Sequence, residues 1–153
     1  MKKLSIVCLF AATFLFAGLS LLDSHLDDGK ALAAAKAVPQ WIWLGNPPDS
    51  NETIYFRHTF ELSSVPESVT VAGSCDNSMR VYINGKKAVS SNEWSTPVRA
   101  EIAKSLVKGK NVIAVEAVNA GGPGGLILSV DSWKTRPRGD KKGTQIISTG
   151  PAW

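Results

Sequence analysis

Chemistry in this chain would have to come from very few reactive side chains. There are two histidines, His25 and His58, and two cysteines, Cys8 and Cys75. A Ser-His-Asp or Cys-His arrangement needs a histidine placed as a base. His25 falls in a leader segment, and His58 alternates with Phe56 and Phe60 on the apolar side of a strand. There it reads as a packed core residue rather than a base. Zinc asks for three or four His or Cys ligands, more than the chain supplies outside its leader. No Gly-x-Ser-x-Gly elbow occurs, and Gly121-Gly122-Pro123-Gly124-Gly125 lacks the lysine and helix of a phosphate loop. Glu93, Glu101 and Glu116 remain as carboxylates for glycoside hydrolysis, by residue type alone. Glu101 and Glu116 are accounted for as polar residues flanking strands. The sequence predicts no enzyme and calls for no cofactor.

Residues suited to binding are better represented. Trp94 sits in the polar stretch Ser90-Ser91-Asn92-Glu93-Trp94-Ser95. An indole flanked by amides and hydroxyls suits stacking on the apolar face of a sugar, with Asn92 and Arg80 as nearby donors. A competing reading has Trp94 folding back to cap an open end of the fold. Arg80 likewise suits a cross-strand ion pair. Trp41 and Trp43 share one strand face and read as core. Asp76 and Asn77 suit either a structural calcium ion or a turn. Asn51-Glu52-Thr53 is a glycosylation sequon, of consequence only in a eukaryotic secretory pathway.

Charge excludes another class. The whole chain carries a formal +4, but residues 38–131 hold eight basic and nine acidic side chains. The excess lies in the N-terminal leader and in Lys134, Arg136, Arg138, Lys141 and Lys142 near the C-terminus. A nucleic-acid binder concentrates its charge on a folded face, so no nucleic-acid partner is predicted.

Lys2 and Lys3 precede an uncharged, mostly apolar run from Leu4 to Leu22, the layout of an export signal. Gly18-Leu19-Ser20 offers one cleavage site; the alanine cluster from Ala31 to Ala35 offers better small-residue pairs. Residues 1–35 are therefore assigned to a signal peptide, with an uncleaved membrane anchor as the alternative. The predicted location is periplasmic or extracellular. After cleavage Cys75 stands alone and reads as a small buried hydrophobe. The roughly 115 residues that remain suffice to bury about two-thirds of their unfolded surface without disulfides.

The elements that must position these residues follow a period of two. Ile54, Phe56, His58 and Phe60 alternate with Tyr55, Arg57, Thr59 and Glu61, the mark of a half-buried strand. Val69 and Val71 mark another strand, as do Met79, Val81 and Ile83. Asn84-Gly85 then signals a two-residue hairpin, because both turn positions need positive φ. Val98–Glu101 reads as a brief strand and Ile102–Leu106 as one or two helical turns. Asn111–Val118 is apolar on both sides and predicts a strand buried on both faces. Leu126–Val130 is a further strand, and Gln145–Ser148 a candidate edge strand. Short strands with turns about every ten residues predict an all-β antiparallel sandwich over residues 38–131. Residues 132–153 read as a basic, partly disordered tail.

Three segments carry a family resemblance. Asp76 to Lys86 resembles the strand-and-hairpin motif of galactose-binding-like jelly-roll domains. Trp94-Ser95-Thr96-Pro97 with Val98–Leu106, and Gly109-Lys110-Asn111-Val112-Ile113-Ala114-Val115, are similar to two later elements of those domains. The resemblance covers about residues 41–130. It implies a non-catalytic accessory domain of the kind carried by bacterial α-L-rhamnosidases and large exported proteins. The implied partner is a carbohydrate or another cell-envelope ligand, and a structural or protein-interaction module is the alternative. Val130-Asp131-Ser132-Trp133 arrives early against the family pattern, so a shortened C-terminal part and an unpaired sheet edge are expected.

Overall fold

The computed structural model describes residues 36–135, 137 and 139–153. The expected signal segment, residues 1–35, lies outside them. Among the described residues, eight antiparallel strands make two four-stranded sheets. The strands are β1 (Glu52–Leu62), β2 (Ser68–Asp76), β3 (Ser78–Ile83), β4 (Lys86–Ser91), β5 (Val98–Glu101), β6 (Gly109–Asn119), β7 (Gly125–Thr135) and β8 (Lys141–Ser148). One sheet runs β1-β6-β3-β4 and the other β5-β2-β7-β8. A single 3₁₀ turn, Ala103–Ser105, lies where helical turns were expected after β5. The result is the all-β sandwich the sequence predicts, and no helix among the described residues is long and apolar enough to cross a membrane.

Alternation sets which side of each strand meets the other sheet. Val69 and Val71 of β2, Val81 and Ile83 of β3, Ile113 and Val115 of β6, and Leu126, Leu128 and Val130 of β7 form the buried core. Each such aliphatic side chain contributes about 1.5–3 kcal/mol by leaving water. Cys75 and Met79 complete that layer from the ends of β2 and β3.

The Asn84-Gly85 turn forms as expected, with φ of 48° and 80° and Ile83 opposite Lys86. Asn84 has a second task. Its Nδ2 donates to Ser105 O and Asn111 Oδ1 at 2.8 and 2.9 Å, and its Oδ1 accepts Val112 N at 2.9 Å. Asn111 is fully buried, and its amide also donates to Val107 O and Gly109 O. A buried side-chain amide is tolerable only when so satisfied.

Two expectations change. β6 is buried on one side only, through Ile113, Val115 and Ala117; Val112, Ala114 and Val118 are half-exposed on the other. It is an inner strand of its own sheet, but a two-layer sandwich covers just one face of each sheet. Pairing also runs past residue 131. β7 continues to Thr135, and β8 pairs with it from Lys141 to Ser148, including the candidate strand Gln145–Ser148. The stretch read from the sequence as a tail therefore supplies the fourth strand of the second sheet. Lys141 and Lys142 hid it, because an edge strand can carry lysines that a central one cannot.

Chain segments outside the strands close the same edge. Ile42 bridges Leu126 through two backbone hydrogen bonds of 2.9 Å. Thr149, almost fully buried, donates through Oγ1 to Gln40 O at 2.7 Å and accepts Leu128 N at 3.1 Å. Lys36 Nζ lies 2.9 Å from the buried Asp131 carboxylate.

Candidate functional site

At one end of the sandwich, segments distant in sequence enclose a cleft of about 670 Å³. It is lined by Trp41, Asp76, Asn77, Trp94 and the glycine-rich connection between β6 and β7. That volume lies within the ~300–1,000 Å³ range of small-molecule sites. Trp41 is 53% exposed and Trp94 is 54% exposed, so both indoles present apolar surface to water.

Each wall is held by identifiable bonds. The backbone carbonyl of Trp94 accepts a hydrogen bond from Ser74 Oγ, a buried hydroxyl on β2. Within the same loop, Glu93 accepts Ser95 N at 2.9 Å and Ser95 Oγ at 2.7 Å. Ser91 Oγ accepts Glu93 N at 3.1 Å. The glycine-rich wall hangs on two asparagines. Buried Asn119 donates to Asp49 O and Gly122 O and accepts Gly121 N, while Asn77 Oδ1 accepts Ala120 N at 2.5 Å. Trp41 lies flat enough on Gly125 that a Cβ there would fall 2.7 Å from its ring; Trp43 does the same over Gly124 at 2.8 Å. A side chain at either position would displace an indole.

Trp43 and Trp41 divide the roles the sequence gave them jointly. Trp43 is half-buried, donates from Nε1 to Glu52 at 3.0 Å and packs beside Phe56, as a core-edge residue should. Trp41 is a surface residue instead. The backbone at residue 42 pairs with β7 as an isolated bridge, leaving the side chain of Trp41 over the loop rather than between the sheets.

The three sequence-predicted binding residues do not converge. Trp94 lines the cleft, whereas Asn92 and Arg80 line a separate groove over β3, β4 and β6. Arg80 makes the cross-strand ion pair weighed for it, Nη1 to Glu116 Oε1 at 2.5 Å. What the sequence missed is the partnership of Trp94 with Trp41, Asp76 and Asn77. Its one legible trace is the glycine-rich run, four glycines within residues 121–125.

The carboxylates considered for catalysis are engaged elsewhere. Glu101 accepts Val69 N at 2.7 Å, Ser68 Oγ at 2.9 Å and Ala103 N at 3.2 Å. Partial burial disfavours its charge, but these donors prevail and hold its carboxyl below the ordinary value. Glu93 is held low by the Ser95 amide and then by the Ser95 hydroxyl. His58 stacks on Trp153 with ring centroids 5.2 Å apart. Among the described residues, no group of three or more His, Cys, Asp or Glu is placed to hold a metal ion. Of the pair weighed for calcium, Asn77 already spends its side-chain oxygen on Ala120.

No protein-family model and no curated protein sequence matches the chain. Solved structures do. An α-L-rhamnosidase of Streptomyces avermitilis, solved with L-rhamnose, matches 72% of this chain at 28% identity and a TM-score of 0.59. The GH78 family rhamnosidase of Bacillus sp. GL1 matches 75% at 24% identity and a TM-score of 0.63. A lectin from Pleurotus ostreatus, in complex with GalNAc, matches 73% at 23% identity and a TM-score of 0.55. The fold is thus the galactose-binding-like β-sandwich. This chain spans only 12% and 13% of the two rhamnosidase chains and 33% of the lectin chain.

Proposed function

We propose that this protein is an exported, non-catalytic carbohydrate-binding module that takes a sugar at the Trp41–Trp94 cleft. The observation that carries the reading is the pair of indoles, each more than half exposed and both lining a cleft beside Asp76 and Asn77. Exposed indoles lose little conformational freedom on binding and offer flat apolar area to the C–H face of a pyranose. The Asp76 carboxylate accepts from sugar hydroxyls, and the loop bonds described above preorganise the Trp94 wall. The resemblance to a lectin and to part of each rhamnosidase supports the same reading. Asn92 and Arg80 belong to a different surface and are not assigned to this sugar.

Export rests on the apolar leader and the alanine cluster. N-terminal sequencing of the protein recovered from outside the cytoplasm is expected to begin at Ala34 or Lys36. Retention of Met1 in the membrane fraction would replace a secreted module by an anchored one.

Binding is tested by calorimetric titration with mono- and oligosaccharides, including L-rhamnose and GalNAc. Trp94→Ala and Trp41→Ala are each expected to weaken binding by about five- to a hundredfold, since one base-like stacking contact is worth about 1–3 kcal/mol. Circular dichroism checks that both variants keep the sandwich. Unchanged affinity in both folded variants rejects the site.

A further inference from the structure

We propose that the groove over β3, β4 and β6 is a second binding site, specific for a carboxylated sugar. It is independent of the Trp41–Trp94 cleft. The groove has a volume of about 370 Å³ and is lined by Ser78, Arg80, Lys87, Ser90, Asn92 and Glu116.

Its charge comes from how the strands register. Arg80 on β3 faces Glu116 on one side and Ser90 on the other, and Tyr82, two residues on, faces Lys87. Alternation, together with a bulge in β4 between Val89 and Lys87, puts Arg80, Tyr82, Lys87, Ser90 and Glu116 on the outer face of one sheet. Two cations meet one carboxylate there. Glu116 occupies Nη1 of Arg80, and among the described residues no acceptor meets the rest of the guanidinium or the Lys87 ammonium. The Arg80 side chain remains 55% exposed despite the pair.

The ion pair therefore orients Arg80 without exhausting it. A guanidinium has five N–H donors in a planar fork, matched to a planar carboxylate. A compact ammonium nearby adds attraction without geometric demand. The hydroxyls of Ser78 and Ser90 and the Asn92 amide suit the ring hydroxyls of a sugar. Tyr55, opposite Glu116 on β1 and 75% exposed, extends the row with an aromatic face. Carboxylate on one side and hydroxyls on the other describe a uronic acid residue.

The test follows backbone amide signals of the protein while trigalacturonate is added, alongside its methyl ester as an uncharged control. Trigalacturonate is expected to shift the signals of Arg80, Lys87 and Asn92, and the ester to leave them unmoved. Lys87→Gln, which spares the Arg80–Glu116 pair, is expected to weaken binding about fivefold, the scale of one exposed charge interaction. Glu116→Gln frees the guanidinium and is expected to tighten it. Trp94→Ala is expected to have no effect, so this site stands or falls apart from the cleft. Equal response to the ester, loss of response in Trp94→Ala, or no response at all overturns the proposal. Groove shifts produced by a single-stranded oligonucleotide and not by trigalacturonate overturn it too.

Discussion

At the scale of single residues, Glu101 and Cys75 show how burial and hydrogen bonding fix a side chain's chemistry. Glu101 is a brace, because its carboxylate joins the β2 amide of Val69 to the turn after β5. Its folded pKa lies below the ordinary carboxyl value of 4.5, so its stabilisation is complete above that pH. It is lost as pH falls through the lowered folded value. Denaturation of the wild type below pH 4.5 is therefore expected to show a loss of stability that Glu101→Gln reduces. Glu101→Ala is expected to cost about 1–3 kcal/mol at pH 7, because the buried Val69 amide is left without an acceptor. Cys75 is the opposite case. Burial raises its thiol to about 11; a hydrogen bond with the Val118 backbone works against the rise and the nearby Asp76 charge adds to it. A thiol reagent at pH 7.5 is expected to label the folded protein only at the slow rate of global opening, and the denatured protein at once.

At the scale of elements, the β3–β4 hairpin and the β6–β7 connection carry the functional geometry. The hairpin places Arg80 and Lys87 on one surface, and its turn needs φ of 80° at Gly85. Gly85→Ala is expected to cost about 1–2 kcal/mol, the strain of a left-handed residue bearing a Cβ. Urea denaturation measures it. Nothing lies within 4 Å of an added Cβ there, so the loss reports backbone strain alone. The β6–β7 connection is different, since Asn119 holds it from the end of β6. Asn119→Ala is expected to lower stability by about 1–3 kcal/mol and to weaken sugar binding at the cleft as well. Gly85→Ala, far from that loop in sequence and bonding, is expected to spare the cleft.

At the scale of the whole molecule, the second sheet is completed by chain from both sides of the sandwich. β8 supplies its fourth strand, and Thr149 ties that strand's end to Gln40, three residues before Trp43. Thr149→Val removes a bond to Gln40 O and the acceptor for Leu128 N while keeping the shape. The expected cost is about 1–3 kcal/mol, read from thermal unfolding. Because Trp41 follows Gln40 directly, the same variant is expected to weaken binding at the cleft.

The strand pattern, the Asn84-Gly85 hairpin and the buried faces of β1, β2, β3 and β7 were legible in sequence. Each depends on neighbours one to four residues apart, where alternation and turn stereochemistry act directly. β8 was faint because an edge strand need bury only one side, and its lysines mask the alternation. Trp94 was recognisable as a loop indole, and Arg80 as half of an ion pair, from local context alone. The tertiary structure decided which residues share a surface. Trp41, Asp76, Trp94 and Gly121 stand 18 to 80 positions apart in the chain. They meet because antiparallel strands of set length return their ends to one place, and spacing along the sequence carries no record of that.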